Sequence, residues 1–316
     1  MLTFFKNILK RIFKISKKDK SYNSAEMQFY CDSLEKLRKH SLQLKRDGEV
    51  EKPLAIVTTY NDVDIIKGIV EENINQGQEL IIIDNWSNDG TWEELEKLKL
   101  NREEILKLYR FPLNGPSLDY NWKELLKFKE EIAIQYPNRW IFHQDSDEVT
   151  LSPFDDIEIK YVLASIKDFG FNCVTLRMLD FAPVDDYFVQ GNPVEYFKYY
   201  RYITKYSYDR QEKIWYQNNE KVNLNQNAGH ELIFEGKNTY HIRFPRLHYS
   251  IRSTKQMVKK YDEDRKKRSE KERKELGWHT HIEERRSEKV VFSIDELIPF
   301  EREKLYREYL KWFIKR

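Results

Sequence analysis

The chain has 316 residues, of which 40% are hydrophobic and 34% are charged. This length and composition are typical of a folded protein with a sizeable core and exclude a chain too polar to fold. Its 55 basic and 53 acidic side chains leave a net charge of +2, so no nucleic acid or other polyanion is predicted as a partner.

The first residues carry a separate pattern. Between Met1 and Lys20 there are seven basic residues and one acidic residue. Residues 2–16 space their apolar side chains close to a helical period, as in a basic amphipathic helix on an anionic membrane surface. The pattern predicts peripheral membrane contact through residues 1–20, and a helix that packs on the protein body is the alternative.

No stretch reaches the roughly 18–20 consecutive apolar residues of a membrane-spanning helix. Basic residues also interrupt the apolar run that a signal peptide would need. The two cysteines, Cys31 and Cys173, have no metal-site spacing and are typical of a reducing compartment. A cytoplasmic protein is therefore expected, whose residues 1–20 would make any peripheral contact with the cytoplasmic face of the membrane.

Short apolar runs alternate with helical stretches in the first half of the chain. After a predicted helix over residues 25–47, the runs and stretches are Leu54–Thr59, 63–75, Glu79–Asp84, Thr91–Leu100, Ile105–Phe111, Tyr120–Tyr136 and Trp140–His143. This alternation predicts an α/β fold with a mostly parallel sheet. Ligands of such sheets bind at the carboxyl ends of the strands.

The alternation weakens beyond Ser152. Aromatic residues crowd 187–208, and residues 233–249 resemble irregular strands. A charged helix is predicted over Lys255–Leu276 and an amphipathic helix over Ile294–Ile314. We expect an N-terminal segment (1–50), a catalytic domain (51–255, with a nucleotide half 51–155 and an acceptor half 156–255) and C-terminal helices (256–316).

Three polar clusters directly follow predicted strands. Cluster one is Thr58–Asp62, cluster two is Asp84–Thr91, and cluster three is His143–Glu148. In an extended segment Asp145 and Asp147 point to the same side, where they repel each other unless a cation lies between them. Oxygen ligands of this kind suit Mg²⁺ or Mn²⁺, although D-x-D alone is also common in surface turns.

Cluster two adds another acid to the same edge. Asp84 ends an aliphatic run, so its carboxylate can accept hydrogen bonds from a ribose or a nucleobase N–H. Asp89 and Thr91 also fit an ordinary turn followed by a helix start.

Together the clusters resemble glycosyltransferase family 2, which has the GT-A fold. The segments that carry the resemblance are VTTYND (57–62), IIIDNWSNDGT (81–91) and WIFHQDSDEV (140–149). The resemblance is specific over residues 53–155 and looser to about residue 285. It implies a Rossmann-like, mostly parallel sheet flanked by helices, with a mixed C-terminal half and helical termini.

The resemblance also implies roles for individual residues. The nucleotide-sugar donor would contact Thr59, Tyr60, Asp62, Asp84, Asn85 and Asp145. Asp147 would bind a divalent cation, Mn²⁺ or Mg²⁺, and Asp145 would bind the donor ribose or the metal. A histidine ligand is expected from the second half, with His248 as the first choice and His230 as the second.

Family 2 enzymes generally invert the anomeric centre, which requires a carboxylate base for the acceptor hydroxyl. Asp186 is favoured for this role, and Asp185 and Glu231 are the other candidates. Arg177, Lys213 and Arg252 are basic residues that could neutralise phosphates.

The predicted activity is metal-dependent transfer of a sugar from a nucleoside diphosphate to an acceptor hydroxyl. The acceptor would be a glycan or a lipid-linked molecule, as in surface-polysaccharide synthesis. A nucleotidyltransferase usually has a Gly-rich basic loop after the first strand, which TTYND lacks. A non-catalytic nucleotide-sugar or carbohydrate-binding protein with a degenerate GT-A fold is the alternative from another class.

Overall fold

Three strand–helix units and a fourth strand build the first half of the fold, as the alternation predicts. The computed structural model describes residues 24–117, 120–202, 211–264 and 289–305. A long helix precedes the units, and the elements in order are α1 (Ser24–Asp47), β1 (Leu54–Thr59), α2 (Ile66–Asn75), β2 (Glu79–Asp84), α3 (Thr91–Asn101), β3 (Ile105–Arg110), α4 (Trp122–Ala133) and β4 (Arg139–Asp145). The predicted elements lie within a few residues of these bounds.

The second half adds more strands than helices. Its elements are β5 (Glu148–Thr150), α5 (Ile159–Asp168), β6 (Cys173–Phe181), α6 (Pro193–Tyr196), β7 (Tyr199–Arg201), β8 (Gln211–Gln217), a 3₁₀ turn (Gln226–Gly229), β9 (Thr239–His248), α7 (Thr254–Val258), a π-helical turn (Lys259–Glu263), a 3₁₀ turn (Ile294–Glu296), β10 (Ile298–Pro299) and a 3₁₀ turn (Arg302–Lys304).

One mixed sheet joins the two halves. Its main path runs β10–β7–β6–β8–β4–β1–β2–β3, and β9 pairs with β5 and β6. Strands β4, β1, β2 and β3 are mutually parallel, whereas β8 is antiparallel to β4 and to β6. This is the expected arrangement, a parallel half followed by a mixed half.

Apolar packing on both faces explains the apolar runs of the central strands. All six residues of β1 are buried, and successive side chains enter different cores. Ala55 and Val57 pack with α2 and α5 residues on one face, while Leu54 and Ile56 pack with α4 residues on the other. A parallel sheet covered on both faces has this pattern. The polar residues of β1, Thr58 and Thr59, come at its carboxyl end.

The prediction of a C-terminal helix over Ile294–Ile314 is wrong for residues 294–305, the part of it that the structure describes. These residues form two 3₁₀ turns and the short strand β10. Pro299 lacks the N–H that a helix interior requires, and Ile298 pairs with Tyr200 at the edge of the sheet. Strand pairing therefore replaces the helix that the apolar spacing predicts.

Two other predictions for the second half are refined. The irregular strands expected over residues 233–249 are the single strand β9 together with a bridge between Asn223 and Ile233. The charged helix predicted over Lys255–Leu276 begins as α7 and the π-helical turn, and its remainder lies outside the described residues.

Residues 1–23, which hold the predicted basic helix, also lie outside the described part of the chain. Within the described residues, none of the helices combines the length and the hydrophobicity needed to cross a membrane.

Candidate active site

The register of β1 brings the three polar clusters together. Thr59 lies opposite Asp84 on β2, and Thr58 lies opposite Asp145 on β4. The pairing continues past the strand ends, because Asn85 N–H donates to Thr59 (2.9 Å) and Ser146 N–H donates to Thr58 (2.9 Å). The clusters therefore share the carboxyl edge of the sheet, as their positions after parallel strands predict.

Asp84 is fully buried at this edge. Its carboxylate accepts hydrogen bonds from the backbone N–H of Ser87 (3.1 and 3.3 Å), and Arg110 Nε lies 3.7 Å away. Burial raises the pKa of Asp84 in spite of the hydrogen bonds from Ser87 and the charge of Arg110. The guanidinium of Arg110 stacks on Trp86 and Trp92, at 4.9 and 4.5 Å from their ring centroids. The buried hydrogen-bond acceptor Asp84 thus lies beside the guanidinium of Arg110, which itself contacts two tryptophan rings.

The other residues predicted to bind the donor lie around this point. The ring of Tyr60 is 6.4 Å from that of Tyr120, which stacks on Trp122. The side chain of Asn85 donates to the carbonyl of Phe111 (2.9 Å) and fixes the loop after β3.

The carboxylate of Asp62, also predicted to bind the donor, is engaged within the protein. It accepts from Ser146 Oγ (2.5 Å), from Arg252 Nη2 (2.9 Å) and, at 3.5 Å, from Thr59 Oγ1. Burial raises the pKa of Asp62 against the charge of Arg252. These contacts link cluster one to cluster three.

Asp145 lies at the junction of β1 and β4. Its carboxylate accepts from Thr58 Oγ1 (3.0 Å), and Lys213 Nζ lies at 3.5 Å. Burial alone would raise the pKa of Asp145, but the ammonium groups of Lys213 and Lys129 outweigh it and hold this pKa well below its ordinary value. Asp145 is therefore ionised at neutral pH.

Asp147 and His248 face each other across a short gap. Asp147 Oδ1 is 3.8 Å from His248 Nε2, because β5 pairs with β9 and sets Glu148 opposite His248. The other ring nitrogen, Nδ1, lies 2.9 Å from the buried carboxylate of Asp180. Burial would raise the pKa of Asp147, but Lys260 and His248 together hold it far below its ordinary value.

This arrangement fits one part of a divalent-cation site. Two ligands at about 2.1 Å from one ion lie about 3–4 Å apart, which includes the observed separation of Asp147 and His248. A carboxylate that holds the far nitrogen of a histidine is also the usual support of a metal-binding imidazole.

The set is nevertheless incomplete: among the described residues, no group of three or more His, Cys, Asp or Glu side chains could hold a metal. Magnesium and manganese sites of this kind take further ligands from the phosphates of the substrate.

A buried ionic network lies directly behind cluster three. Glu148 accepts hydrogen bonds from Lys213 Nζ (2.9 Å), Arg246 Nη1 (2.8 Å) and the backbone N–H of Asp145 (3.1 Å). Lys213, considered for phosphate binding, is thus ion-paired with Glu148 instead. Arg252 is likewise committed to Asp62 and Asp64, and the guanidinium of Arg177 stacks on Tyr202. Nothing in the sequence around Arg246 marks it for this position.

The candidate bases occupy the loops of the second half. Asp185 accepts from the hydroxyl of Tyr196 (2.5 Å), and Asp186 accepts from the backbone N–H of Thr254 (2.6 Å) at the start of α7. Glu231 is exposed two residues after the 3₁₀ turn.

His230, the second choice for a metal ligand, follows that turn directly, and its carbonyl accepts from the N–H of Glu212. Of the two candidate histidines, His248 is the one seen beside Asp147.

Comparison with known proteins supports the early part of this site. Residues 54–122 match the model of glycosyl transferase family 2. The match includes clusters one and two, and cluster three lies beyond it. A search of curated protein sequences gave no significant match.

Among solved structures, the chain is similar to the mannosyltransferase PcManGT from Pyrobaculum calidifontis, solved in complex with GDP-Man and Mn²⁺. The identity is 16%, the TM-score is 0.30, and the match covers 46% of this chain and 44% of the length of that protein. The resemblance to glycosyltransferases therefore rests on the family match: residues 54–122, which include Asp84 and the first polar cluster, match the model of glycosyl transferase family 2.

Proposed function

We propose that the protein is a metal-dependent glycosyltransferase, which transfers a sugar from a nucleoside diphosphate to an acceptor hydroxyl. The observation that carries the proposal is the meeting of the clusters at the carboxyl edge of one parallel sheet. The register of β1 sets Asp84 and Asp145 on either side of Thr58 and Thr59, and Asp147 follows beside His248. A family match over the first two clusters supports the same reading.

The nucleoside of the donor is assigned to the pocket at the end of β2. The buried carboxylate of Asp84 is a hydrogen-bond acceptor for a ribose hydroxyl or a nucleobase N–H. Tyr60, Trp86 and the guanidinium of Arg110 supply flat surfaces on which a base can stack. Asp145 lies next along the edge, within reach of a ribose.

The diphosphate is assigned to cluster three. Asp147 and His248 are the residues that would hold a divalent cation, with Asp145 beside them. Such a cation neutralises the negative charge that develops on the departing nucleoside diphosphate. Asp180 keeps the imidazole of His248 oriented, and Glu148 with Lys213 and Arg246 fixes the backbone at Asp145.

The acceptor is assigned to the second half of the protein. For transfer with inversion, a carboxylate must take the proton of the acceptor hydroxyl as its oxygen attacks the anomeric carbon. Asp186 is the proposed base, with Asp185 and Glu231 as alternatives on neighbouring loops. We further propose that the acceptor is a glycan or lipid-linked precursor, which residues 1–20 would help to reach at a membrane surface.

The experiment that tests this function measures nucleotide binding and turnover together. Thermal unfolding is followed with UDP, GDP, CMP and TDP, each with Mn²⁺ or with EDTA, for the wild type and Asp147→Asn. A ligand that binds only the folded state raises the melting temperature. Asp155→Asn, an exposed acid in the loop after β5, is the matched control.

We expect one nucleoside diphosphate to raise the melting temperature of the wild type and of Asp155→Asn with Mn²⁺ only. The corresponding sugar nucleotide should then release nucleoside diphosphate when a glycan acceptor is added. No shift with any nucleotide at millimolar concentration would refute the proposal. A shift without turnover would instead favour the non-catalytic alternative.

A further inference from the structure

The segment that follows β9 crosses the candidate site and touches every cluster. Lys259 Nζ lies 3.5 Å from Asp89 in cluster two, and Asp264 accepts from the side chain of Asn61 (2.7 Å) in cluster one. Between them, Lys260 Nζ donates to Asp147 Oδ2 (3.0 Å) in cluster three. Residues 253–264 thus hold all three clusters through charged side chains.

Lys260 is fixed in this position from two directions. Its ammonium group also donates to the carbonyl of Ser250 (2.9 Å), and its side chain is 14% exposed. The neighbouring Tyr261 is buried in a small apolar cluster with Ile251 and Met257, which anchors the π-helical turn. Lys260 is therefore held by the fold against Asp147, unlike a surface lysine that meets an acid by chance.

The position of Lys260 conflicts with a cation at Asp147. One oxygen of this carboxylate faces His248 Nε2, and the other accepts from Lys260 Nζ. A divalent ion between Asp147 and His248 would lie within a few ångströms of the ammonium group. Like charges at that distance in a partly buried site repel strongly. Metal and Lys260 cannot both keep their full interaction with Asp147.

We propose that Lys260 is the internal counter-ion of Asp147 and that it exchanges this carboxylate for the donor diphosphate when the metal binds. This inference rests on the proposed function, which it deepens by assigning a role to a residue outside the three clusters. Without a nucleotide, Lys260 neutralises Asp147 and makes metal binding weak. With a nucleoside diphosphate present, the phosphates offer the ammonium group a new partner and the metal further ligands. Metal and nucleotide thus bind cooperatively.

A substitution of Lys260 should therefore have opposite effects on the binding of Mn²⁺ and of the nucleoside diphosphate. Lys260→Met removes the competitor, so Mn²⁺ alone should bind about tenfold more tightly, a typical size for such coupling. It also removes a phosphate partner, so the nucleoside diphosphate should bind more weakly at saturating Mn²⁺. Simple damage to the fold would weaken both ligands.

Mn²⁺ affinity is measured on the full chain by electron paramagnetic resonance of free Mn²⁺, without nucleotide and with UDP or GDP. Lys260→Arg keeps the positive charge and should retain weak binding of Mn²⁺ alone. Lys255→Met is the matched control, because this lysine lies exposed on α7 in the same segment. Circular dichroism confirms that each variant is folded.

Tighter Mn²⁺ binding by Lys260→Met, with wild-type behaviour in the other two variants, supports the proposal. Equal Mn²⁺ affinity in the wild type and Lys260→Met overturns it and leaves the proposed function intact, provided that the wild type binds Mn²⁺ with a nucleotide. Absence of Mn²⁺ binding in every sample, with or without a nucleotide, overturns both.

Discussion

His248 has one ring nitrogen held and the other directed at Asp147. The carboxylate of Asp180 lies within hydrogen-bond distance of His248 Nδ1 (2.9 Å), and it accepts a hydrogen bond from Arg201 Nε (3.1 Å). A buried carboxylate at this position selects the tautomer with hydrogen on Nδ1 and leaves the lone pair of Nε2 for a metal. In the proposed metal site Asp180 is therefore a positioning residue, which would act on the metal through His248.

Asp180→Asn should lower Mn²⁺ affinity in the presence of nucleotide by about 10–100-fold, the usual cost of losing such a support. The amide oxygen of asparagine can still accept from Nδ1, so the ring stays in place and the protein stays folded. Calorimetric titration of Mn²⁺ into the nucleotide complex measures the effect, and Asp155→Asn is the control. Unchanged affinity would mean that His248 does not bind the metal.

The acidic residues of the site could be predicted from sequence because each one interrupts or ends an apolar run. Asp84, Asp145 and Asp147 stand out by that contrast, and the rules for parallel sheets place them on one edge. Their partners could not be predicted in the same way. Arg246 and Lys260 lie in segments rich in charge, and only the pairing of β5 with β9 and the turn after α7 bring them to the acids.

Helix α4 carries a buried lysine against the centre of the sheet. Lys129 Nζ lies 2.9 Å from His143 Nδ1 and donates to the carbonyl of Gln144 (2.9 Å). Burial, partly offset by Asp145, lowers the pKa of Lys129 from 10.5 to about 7. Burial and the charge of Lys129 likewise hold the pKa of His143 well below its ordinary value, so the imidazole is neutral.

This depressed pKa makes stability depend on pH. Between pH 7 and 10.5 the unfolded chain binds a proton at Lys129 that the folded chain does not bind, so stability rises with pH in this range. From pH 7 to 9 the gain should be on the order of 2 kcal/mol. Lys129→Met should lack this gain, as measured by urea unfolding at both pH values.

Lys127→Met is the matched control for this experiment. Lys127 lies on the same helix, but it is exposed and pairs with Glu124. Its removal should leave the rise between pH 7 and 9 in place. If Lys129→Met shows the same rise as the wild type, Lys129 is protonated in the folded protein throughout this range.

At the level of elements, the sequence predicts the first half better than the second. Strands β1, β2 and β4 are buried on both faces, so their apolar runs stand out between amphipathic helices. Pairing between distant segments determines the second half instead. Strand β10 exists because Ile298 reaches β7, and the apolar spacing of residues 294–314 carries no sign of that contact.

Across the whole molecule, basic and acidic residues are nearly equal in number but unevenly distributed along the chain. Seven of the 55 basic residues fall among the first twenty residues, where only one acid is found. A near-neutral body with a basic, apolar end would be drawn to an anionic surface by that end alone.

The full chain should therefore float with vesicles that contain anionic phosphatidylglycerol, and a chain lacking residues 1–20 should not. Vesicles of neutral phosphatidylcholine are the lipid control. A variant with Lys6, Lys10, Arg11 and Lys14 changed to glutamine separates charge from apolar contact. Equal flotation of the full and the shortened chain would show that another part of the protein meets the membrane.

Strand β6 makes the two neighbours of Asp147, His248 and Lys260, differ in how firmly the fold holds them. All nine of its residues are buried, and it is hydrogen-bonded to β7, β8 and β9. Asp180 and His248 lie opposite each other on β6 and β9, so moving their backbones apart requires separation of these strands, an opening that approaches global unfolding in free energy. Lys260 lies on a single short turn, which can open locally at much lower cost. The histidine side of the site therefore persists as long as the fold, while the lysine side can exchange its partner many times within that period.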